Sequence, residues 1–417
     1  MLIEFSVSNF RSIREKQTLS MVAASRLSKK QNVFKPSVPG EKLPPLLKIA
    51  AIYGPNASGK SSIVTALGIA SWLTGLPPST QTSQLRVSPF RFDPDLANKP
   101  SEFEFHFINN NLRYEFSFSL TSERITSEKL TAYPKGKETL LYKRMHTSDG
   151  DEYVFGESLE GGIDLHNVWK NLTGSQSLFI SQAVANSNES LTQLKTPFKW
   201  LREFRTINSE HWDTWTLASR NLANKHSNFT SAISSFLQEV DVPVTKIKFE
   251  KFEEPLEIIR TKDRQIDYMA SPNYKTILTH KTALGEADFD FDEESSGTKN
   301  LIGFWLPWSL LAQTPKTENR ILVIDELDSS LHPKLVADLV AKHIELDTHT
   351  QVIFTTHDTH LMNTKLLRRD QFWLTERDSN GATQLRSLHD FAGREGEDIE
   401  KRYYEGRYRS LPFLRRT

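Results

Sequence analysis

The feature that most constrains this chain is the octet Gly54-Pro55-Asn56-Ala57-Ser58-Gly59-Lys60-Ser61. Two glycines, a lysine and a serine stand at the G-x-x-x-x-G-K-[ST] spacing of a P-loop, which has its meaning only between a strand and a helix. Both flanks are present. Upstream, Ile49-Ala50-Ala51-Ile52-Tyr53 is an apolar run that reads as a buried strand. Downstream, Ile63, Ala66, Leu67, Ala70 and Leu73 recur at helical spacing. In such a unit the backbone N–H groups from Asn56 to Ser62 face an anion, and Lys60 reaches terminal phosphates. The Ser61 hydroxyl is placed for Mg²⁺. The bland alternative, a glycine-rich turn before a helix, does not account for this context.

Composition narrows the function. The 417 residues suffice for two or three domains and a large core. Lys+Arg and Asp+Glu are both 52, so the whole-protein electrostatic footprint of a nucleic-acid binder is absent, although a local basic patch stays open. The absence of cysteine excludes disulfides, thiolate catalysis and Cys-ligated zinc. No run approaches 18 apolar residues, and the N-terminus MLIEFSVSNF lacks a basic region followed by an apolar core. A cytoplasmic protein without a membrane partner is expected.

Before the P-loop, residues 2–8 alternate as a half-buried strand, the segment Asn9-Phe10-Arg11-Ser12 follows, and a second short strand lies around Thr18 to Val22. Residues 25–47 read as a polar, Pro-rich loop, and Pro77-Pro78 opens another. Phe103, Phe105 and Phe107, then Tyr114, Phe116 and Phe118, alternate around Asn109-Asn110-Asn111 and predict a hairpin. Runs at 125–133, 139–144 and 152–155 extend it into an antiparallel meander, whose aromatic stripe is expected to be core rather than a base-stacking platform. Residues 164–240 lean helical, with Phe229, Ile233, Phe236, Leu237 and Val240 as the clearest stripe, ended by Pro243. Trp200, Trp212 and Trp215 are expected to pack. Strand-like pieces return at 244–250, 256–260 and 274–280, and neither a repeat nor a sustained heptad is found.

A second chemical cluster occupies the last third. Ser295-Ser296-Gly297-Thr298 opens a helix that Pro307 is expected to kink. The apolar strand Ile321-Leu322-Val323-Ile324 ends at Asp325-Glu326; Leu327-Asp328-Ser329-Ser330-Leu331-His332-Pro333 and a helix follow. A further strand, Val352-Ile353-Phe354, ends at Thr355-Thr356-His357. Buried strands alternating with helices argue a mostly parallel sheet with ligands at its C-terminal edge. An acidic pair after a strand is often a helix cap. Beside a P-loop, the first acid can hold Mg²⁺ and the second can polarise water.

Taken in order, NFRS, GPNASGKS, ESSGT, ILVIDE, LDSSLHP and TTH resemble the ABC-type ATPase heads of the SMC, RecF and OLD lineage. The resemblance implies an α/β P-loop NTPase head with a mixed or parallel core sheet, an antiparallel β subdomain and a helical insertion. It divides the chain into an N-terminal ATPase lobe (1–160), a helical insertion with connecting strands (161–285) and a C-terminal ATPase lobe (286–417). It implies ATP and Mg²⁺ as ligands. Lys60 and Ser61 would bind phosphate and metal, Asp325 would support the metal, and Glu326 would be the catalytic base. Asp328 would stand in the D-loop, and His357 would sense the γ-phosphate. Ser295, Ser296, Gly297 and Thr298 match the signature that closes on ATP held by another subunit, so a head-to-tail dimer or higher oligomer is expected. Arg11 falls where a nucleotide-contacting arginine is placed. Gln182 is the expected Q-loop residue, near nucleotide and metal, with Gln176 and Gln193 as rivals.

The chain's size, the short insertion and the ending YYEGRYRSLPFL look similar to RloA- and AbiL-type ATPases and to the PtuA and AriA ATPases of phage defence. That likeness implies a toxin–antitoxin-like switch acting on a separate effector, a Toprim (RloB-like) or HNH nuclease, because the stretch after His357 carries no Toprim pattern. The runner-up is a RecF-like ATPase that binds DNA; a transporter subunit fits ESSGT badly. Arg407, Arg409, Arg415 and Arg416 form a basic tail that is either solvated or docks an acidic partner or phosphate backbone. His360 beside His357 could mimic a metal pair, but a third ligand is lacking.

Overall fold

The P-loop strand lies within a parallel sheet, and the rest of the main unit is arranged around it. The computed structural model describes residues 1–76, 84–208, 212–251, 274–329, 331–362, 365–394 and 396–408. In chain order the first part holds β1 (Leu2–Ser8), β2 (Gln17–Ser20), β3 (Val33–Phe34), β4 (Leu46–Leu47), β5 (Ile49–Tyr53), α1 (Lys60–Gly75) and α2 (Pro94–Ala97). A meander follows, made of β6 (Ser101–Asn109), β7 (Leu112–Leu120), β8 (Ile125–Ala132), β9 (Thr139–Thr147) and β10 (Gly150–Phe155). Next come α3 (Gly162–Leu172), α4 (Phe179–Ala185), α5 (Lys195–Arg202), β11 (Phe204–Ile207), α6 (Trp212–Lys225) and α7 (Ser227–Glu239). The remainder is β12 (Val244–Lys251), β13 (Tyr274–Thr282), β14 (Gly285–Asp290), α8 (Ser296–Ala312), β15 (Ile321–Ile324), α9 (Pro333–Glu345), β16 (Gln351–Thr355), β17 (Phe372–Arg377), β18 (Thr383–Ser387) and α10 (Ile399–Tyr404).

Two units are distinguished: one of residues 1–207, 311–328 and 336–417, the other of 208–310 and 329–335. In the first, the six-stranded sheet runs β11-β15-β16-β5-β17-β18, parallel except for the β17–β18 hairpin. All five residues of β5 are buried, as a strand covered on both faces demands. The fold is the α/β P-loop class expected from the motifs. The seven-stranded sheet β10-β9-β8-β7-β6-β1-β2 is antiparallel throughout. Its hairpin turns at Asn110 and Asn111, both at positive φ, as a two-residue primed turn requires. The aromatic stripe is core: Phe103, Phe105, Phe107, Phe116 and Phe118 are buried, and Phe107 lies flat on Trp200 with centroids 3.8 Å apart. Such a pair is worth ~1 kcal/mol beyond its area.

Two readings are corrected. The second strand covers Gln17–Ser20 and stops short of Val22. The helical stretch is interrupted by β11, whose four residues are too few to show a period of two. A third strand, β14, with an acidic and exposed sequence, pairs with β13. The signature helix α8 runs from Ser296 to Ala312, with Pro307 inside it. The strand expected at 256–260, the loop opened by Pro77-Pro78, and Arg409, Arg415 and Arg416 lie outside the described residues.

The second unit packs α6, α7 and α8 with the sheet β12-β13-β14 around Ile233, Leu237, Leu278, Ile302 and Trp305. Trp212 and Trp215 are half-buried. Among the described residues no helix is long and apolar enough to cross a membrane.

Candidate functional site

The C-terminal ends of three neighbouring parallel strands converge on one place. From β5 the chain enters the P-loop, from β15 it reaches Asp325-Glu326, and from β16 it reaches Thr355-Thr356-His357. The loop has the backbone of an anion cradle: Ala57 and Gly59 sit at φ 60° and 103°, and α1 begins at Lys60 with Gly59 as its N-cap. A Cβ at Gly59 would collide with Thr383 Oγ1 and come within 2.8 Å of Ser12 Oγ. One at Gly54 would meet Thr375 Oγ1 and lie 2.7 Å from Ser58 Oγ.

Those contacts identify a buttress that the motif does not reveal. Ser58 Oγ pairs with Thr375 Oγ1 at 2.5 Å, and Thr375 Oγ1 donates to the Tyr53 carbonyl. Thr383 Oγ1 donates to Ser12 Oγ, which donates to Ser62 Oγ, both at 2.8 Å. The β17–β18 hairpin and the NFRS turn therefore brace the loop from two sides. In that turn Asn9 and Arg11 adopt positive φ, and Arg11 lies beside α1, its guanidinium donating to Thr65 Oγ1 at 3.2 Å.

Lys60 is 6% exposed, and its Nζ donates to the Gly54 carbonyl at 2.9 Å and the Pro55 carbonyl at 3.2 Å. Burial lowers its pKa, while the charges of Asp325, Glu326 and Asp328 act in the opposite direction. Thr355 ties the acidic pair together: its Oγ1 donates to Asp325 Oδ1 at 2.6 Å and accepts the Glu326 N–H at 2.7 Å. Glu326 itself stands at φ 55°, a costly conformation for a non-glycine residue that the Thr355 bond helps to hold. The His357 N–H donates to Asp328 Oδ2 at 3.2 Å. Desolvation, then the charge of Lys60, lowers the His357 pKa and favours the neutral imidazole.

Thr355, the first threonine of TTH, can be tested through this geometry. Thr355→Val, nearly isosteric, removes both bonds; ATP turnover is expected to fall by about 10- to 100-fold with ATP affinity preserved. Thr355→Ser should restore most of the rate. Phosphate release and equilibrium nucleotide binding on the three proteins check this.

Gln182 lies on α4, whose N-terminus is fixed by the fully buried Glu128. That carboxylate accepts the N–H groups of Phe179 at 2.7 Å and Ile180 at 3.1 Å, and the Tyr142 hydroxyl at 2.6 Å. Gln182 Oε1 is buried without a hydrogen-bond partner. Gln193 engages both ends of its amide with the Glu160 N–H and the Ser158 carbonyl, and Gln176 donates to the Glu123 carbonyl. Among the three, Gln182 has the orphaned buried oxygen that a cation or water could use.

The signature residues belong to the second unit. Ser295 Oγ accepts the Thr298 N–H at 3.1 Å at the start of α8, leaving Ser296 and Gly297 in the first turn of a helix. Glu294 is buried against His280 Nε2 at 2.6 Å, which anchors the segment to β13. Lys60, Asp325, Glu326, Asp328 and His357 are thus gathered in one unit and Ser295–Thr298 in the other. Among the described residues no group of three or more His, Asp or Glu side chains could hold a metal by itself. The donor set still fits Mg²⁺, which is commonly bound by one or two protein oxygens plus phosphates: the Ser61 hydroxyl, the Asp325 carboxylate and the unpartnered Gln182 oxygen are of that kind. His360 is instead paired with Asp358 at 2.8 Å.

No curated protein matches the sequence significantly. Similar solved structures include the SMC head domain from Thermotoga maritima, at 15% identity and TM-score 0.37, covering 93% of this chain and 98% of that one. Another is the Smc head domain with an extended coiled coil, bound to the C-terminal domain of ScpA derived from Pyrococcus furiosus, at 12% identity and TM-score 0.41, covering 97% and 99%. The family model described as "AAA domain, putative AbiEii toxin, Type IV TA system" matches residues 49–363, well over half of the chain, which therefore belongs to this family of AAA-domain ATPases.

Proposed function

We propose that this protein is an ATP-driven switch: it binds Mg²⁺-ATP, hydrolyses it at sites shared between subunits, and thereby controls a separate effector, a nuclease, in anti-phage defence. The observation that carries this reading is the gathering of Lys60, Asp325, Glu326, Asp328 and His357 at the ends of β5, β15 and β16. Lys60 and the loop N–H groups hold the phosphates. Ser61 and Asp325, with Gln182, would hold Mg²⁺, which when bound would neutralise phosphate charge. Glu326 takes a proton from the attacking water, and neutral His357 donates to the γ-phosphate. Arg11 approaches the nucleotide from the NFRS turn.

Ser295–Thr298 close on the nucleotide of a second copy, through a serine-capped helix start suited to phosphate. The effector assignment draws on the likeness to RloA- and PtuA-type ATPases and agrees with a family described by its toxin–antitoxin system. The outer face of the antiparallel sheet favours this reading over a DNA-binding one. Its groove is lined by Ser6, Ser8, Ser117, Ser119, Glu102 and Glu104, and Lys16 there is paired with Glu104. The lysine in this groove is thus already matched by an acid, which disfavours phosphate contacts there.

The test is direct. The wild-type chain is expected to bind ATP with Mg²⁺ and release phosphate steadily, and Lys60→Ala to do neither. A wild-type chain that fails to bind ATP overturns the proposal.

A further inference from the structure

Two buried polar atoms near the nucleotide loop have no hydrogen-bond partner. One is the hydroxyl of Tyr53, 1% exposed, on the residue directly before Gly54. The other is Oδ2 of Asp358, directly after His357, whose side chain is 5% exposed. A buried donor and acceptor left unmade cost free energy, so an arrangement that joins them is favoured wherever the backbone permits it. Burial first, then the charge of Asp358 ahead of Asp328, raises the Tyr53 pKa. The Asp358 backbone is held only locally, its N–H donating to Thr356 Oγ1 at 2.9 Å, while Oδ1 accepts from the His360 N–H and Nδ1.

The next residue connects this segment to the C-terminal helix. Thr359 Oγ1 donates to Glu400 Oε1 at 2.7 Å and lies 3.0 Å from the Tyr404 hydroxyl, both on α10. That helix has its own cap, Asp398 accepting the Lys401 N–H, and a footing through Ile399 and Tyr403, which are buried. Its other face is exposed: Tyr404 is 60% exposed, and Lys401 also faces solvent.

Resting on the ATPase reading, we propose that residues 357–362 form a relay with two positions, and that α10 reports which nucleotide state the P-loop is in. When His357 engages the γ-phosphate, the following residues shift so that the Tyr53 hydroxyl donates to Asp358 Oδ2. Thr359, moving with them, displaces α10 through Glu400 and Tyr404. Tyr53, Asp358 and Thr359 are positioning residues that link the loop to a surface helix. This supplies the two-state element that coupling between sites requires.

Because the chain has no cysteine, Lys401→Cys gives one labelling site for a thiol-reactive fluorophore on α10. Titrating Mg²⁺-ATP into the labelled full chain should change the fluorescence with the midpoint of ATP binding, measured separately with a fluorescent nucleotide. Adding Thr359→Val should abolish the change at unaltered ATP affinity, and Thr359→Ser should restore it. Tyr53→Phe should weaken it. Where Thr359→Val fails to fold, Glu400→Gln with Tyr404→Phe removes the same bonds from the helix side and should give the same loss. ATP binding without a fluorescence change in the labelled parent, or a full change in the Thr359→Val chain, overturns the relay alone. Failure of every chain to bind ATP defeats the ATPase reading, and the relay with it.

Discussion

Glu326→Gln is expected to bind ATP as well as the wild type and to hydrolyse it about 10²- to 10⁴-fold more slowly, the usual range for removing a general base. The substitution keeps the side chain's size and leaves the Glu326 N–H bond to Thr355 Oγ1 in place. Stability should stay within about 0.5 kcal/mol, because the side chain is exposed. Lys60, Ser61 and Asp325 are untouched, so binding persists, and one negative charge near the phosphates is lost. A trapped ATP state should accumulate as the larger, closed species. Phosphate release, nucleotide binding and gel filtration with Mg²⁺-ATP measure the three consequences. A variant with near wild-type turnover would remove Glu326 from the base role.

Gly59→Ala should be nearly as damaging by a different route. Gly59 holds φ 103°, a region that costs a residue with a Cβ ~1–2 kcal/mol. The new methyl would also strike Thr383 Oγ1 and crowd Ser12 Oγ. Either the loop moves or the β18 brace does. A loop displaced by about 1 Å should weaken ATP binding by roughly 10²-fold. Overpacking should cost about 1–3 kcal/mol of stability. The double variant Gly59→Ala/Thr383→Ala separates the two causes: it relieves the collision but not the backbone strain, so affinity should return in part. An unchanged affinity in the single variant would show that the hairpin does not brace the loop.

The contrast between Lys60 and Thr383 explains what the sequence could tell. The P-loop, its strand and its helix are contiguous, so spacing and periodicity located all three. The Asn110-Asn111 turn was equally local, with both residues suited to positive φ. The ends of β15 and β16 were readable because buried parallel strands are uninterrupted apolar runs. The residues that hold the site were not. Ser12, Thr355, Thr375 and Thr383 each act through a single hydroxyl on a residue far away in the chain, and a threonine in a strand looks like ordinary β propensity. Short β11 and acidic β14 were hidden for a related reason, since their pairing partners rather than their own patterns make them strands. Gln182 was legible only as one of three glutamines; the orphaned Oε1 that sets it apart is a property of packing.

Lys60 lies in one unit and Gly297 in the other, and one chain is proposed to carry two halves of different ATP sites. Lys60→Ala lacks the phosphate-binding half, and Gly297→Asp puts a carboxylate into the half that should meet a partner's γ-phosphate. Each alone should be inactive. Mixed, they should regain ATP turnover above either protein by itself, because a mixed assembly contains one site with both halves intact. A mixture no more active than its components would contradict the shared site.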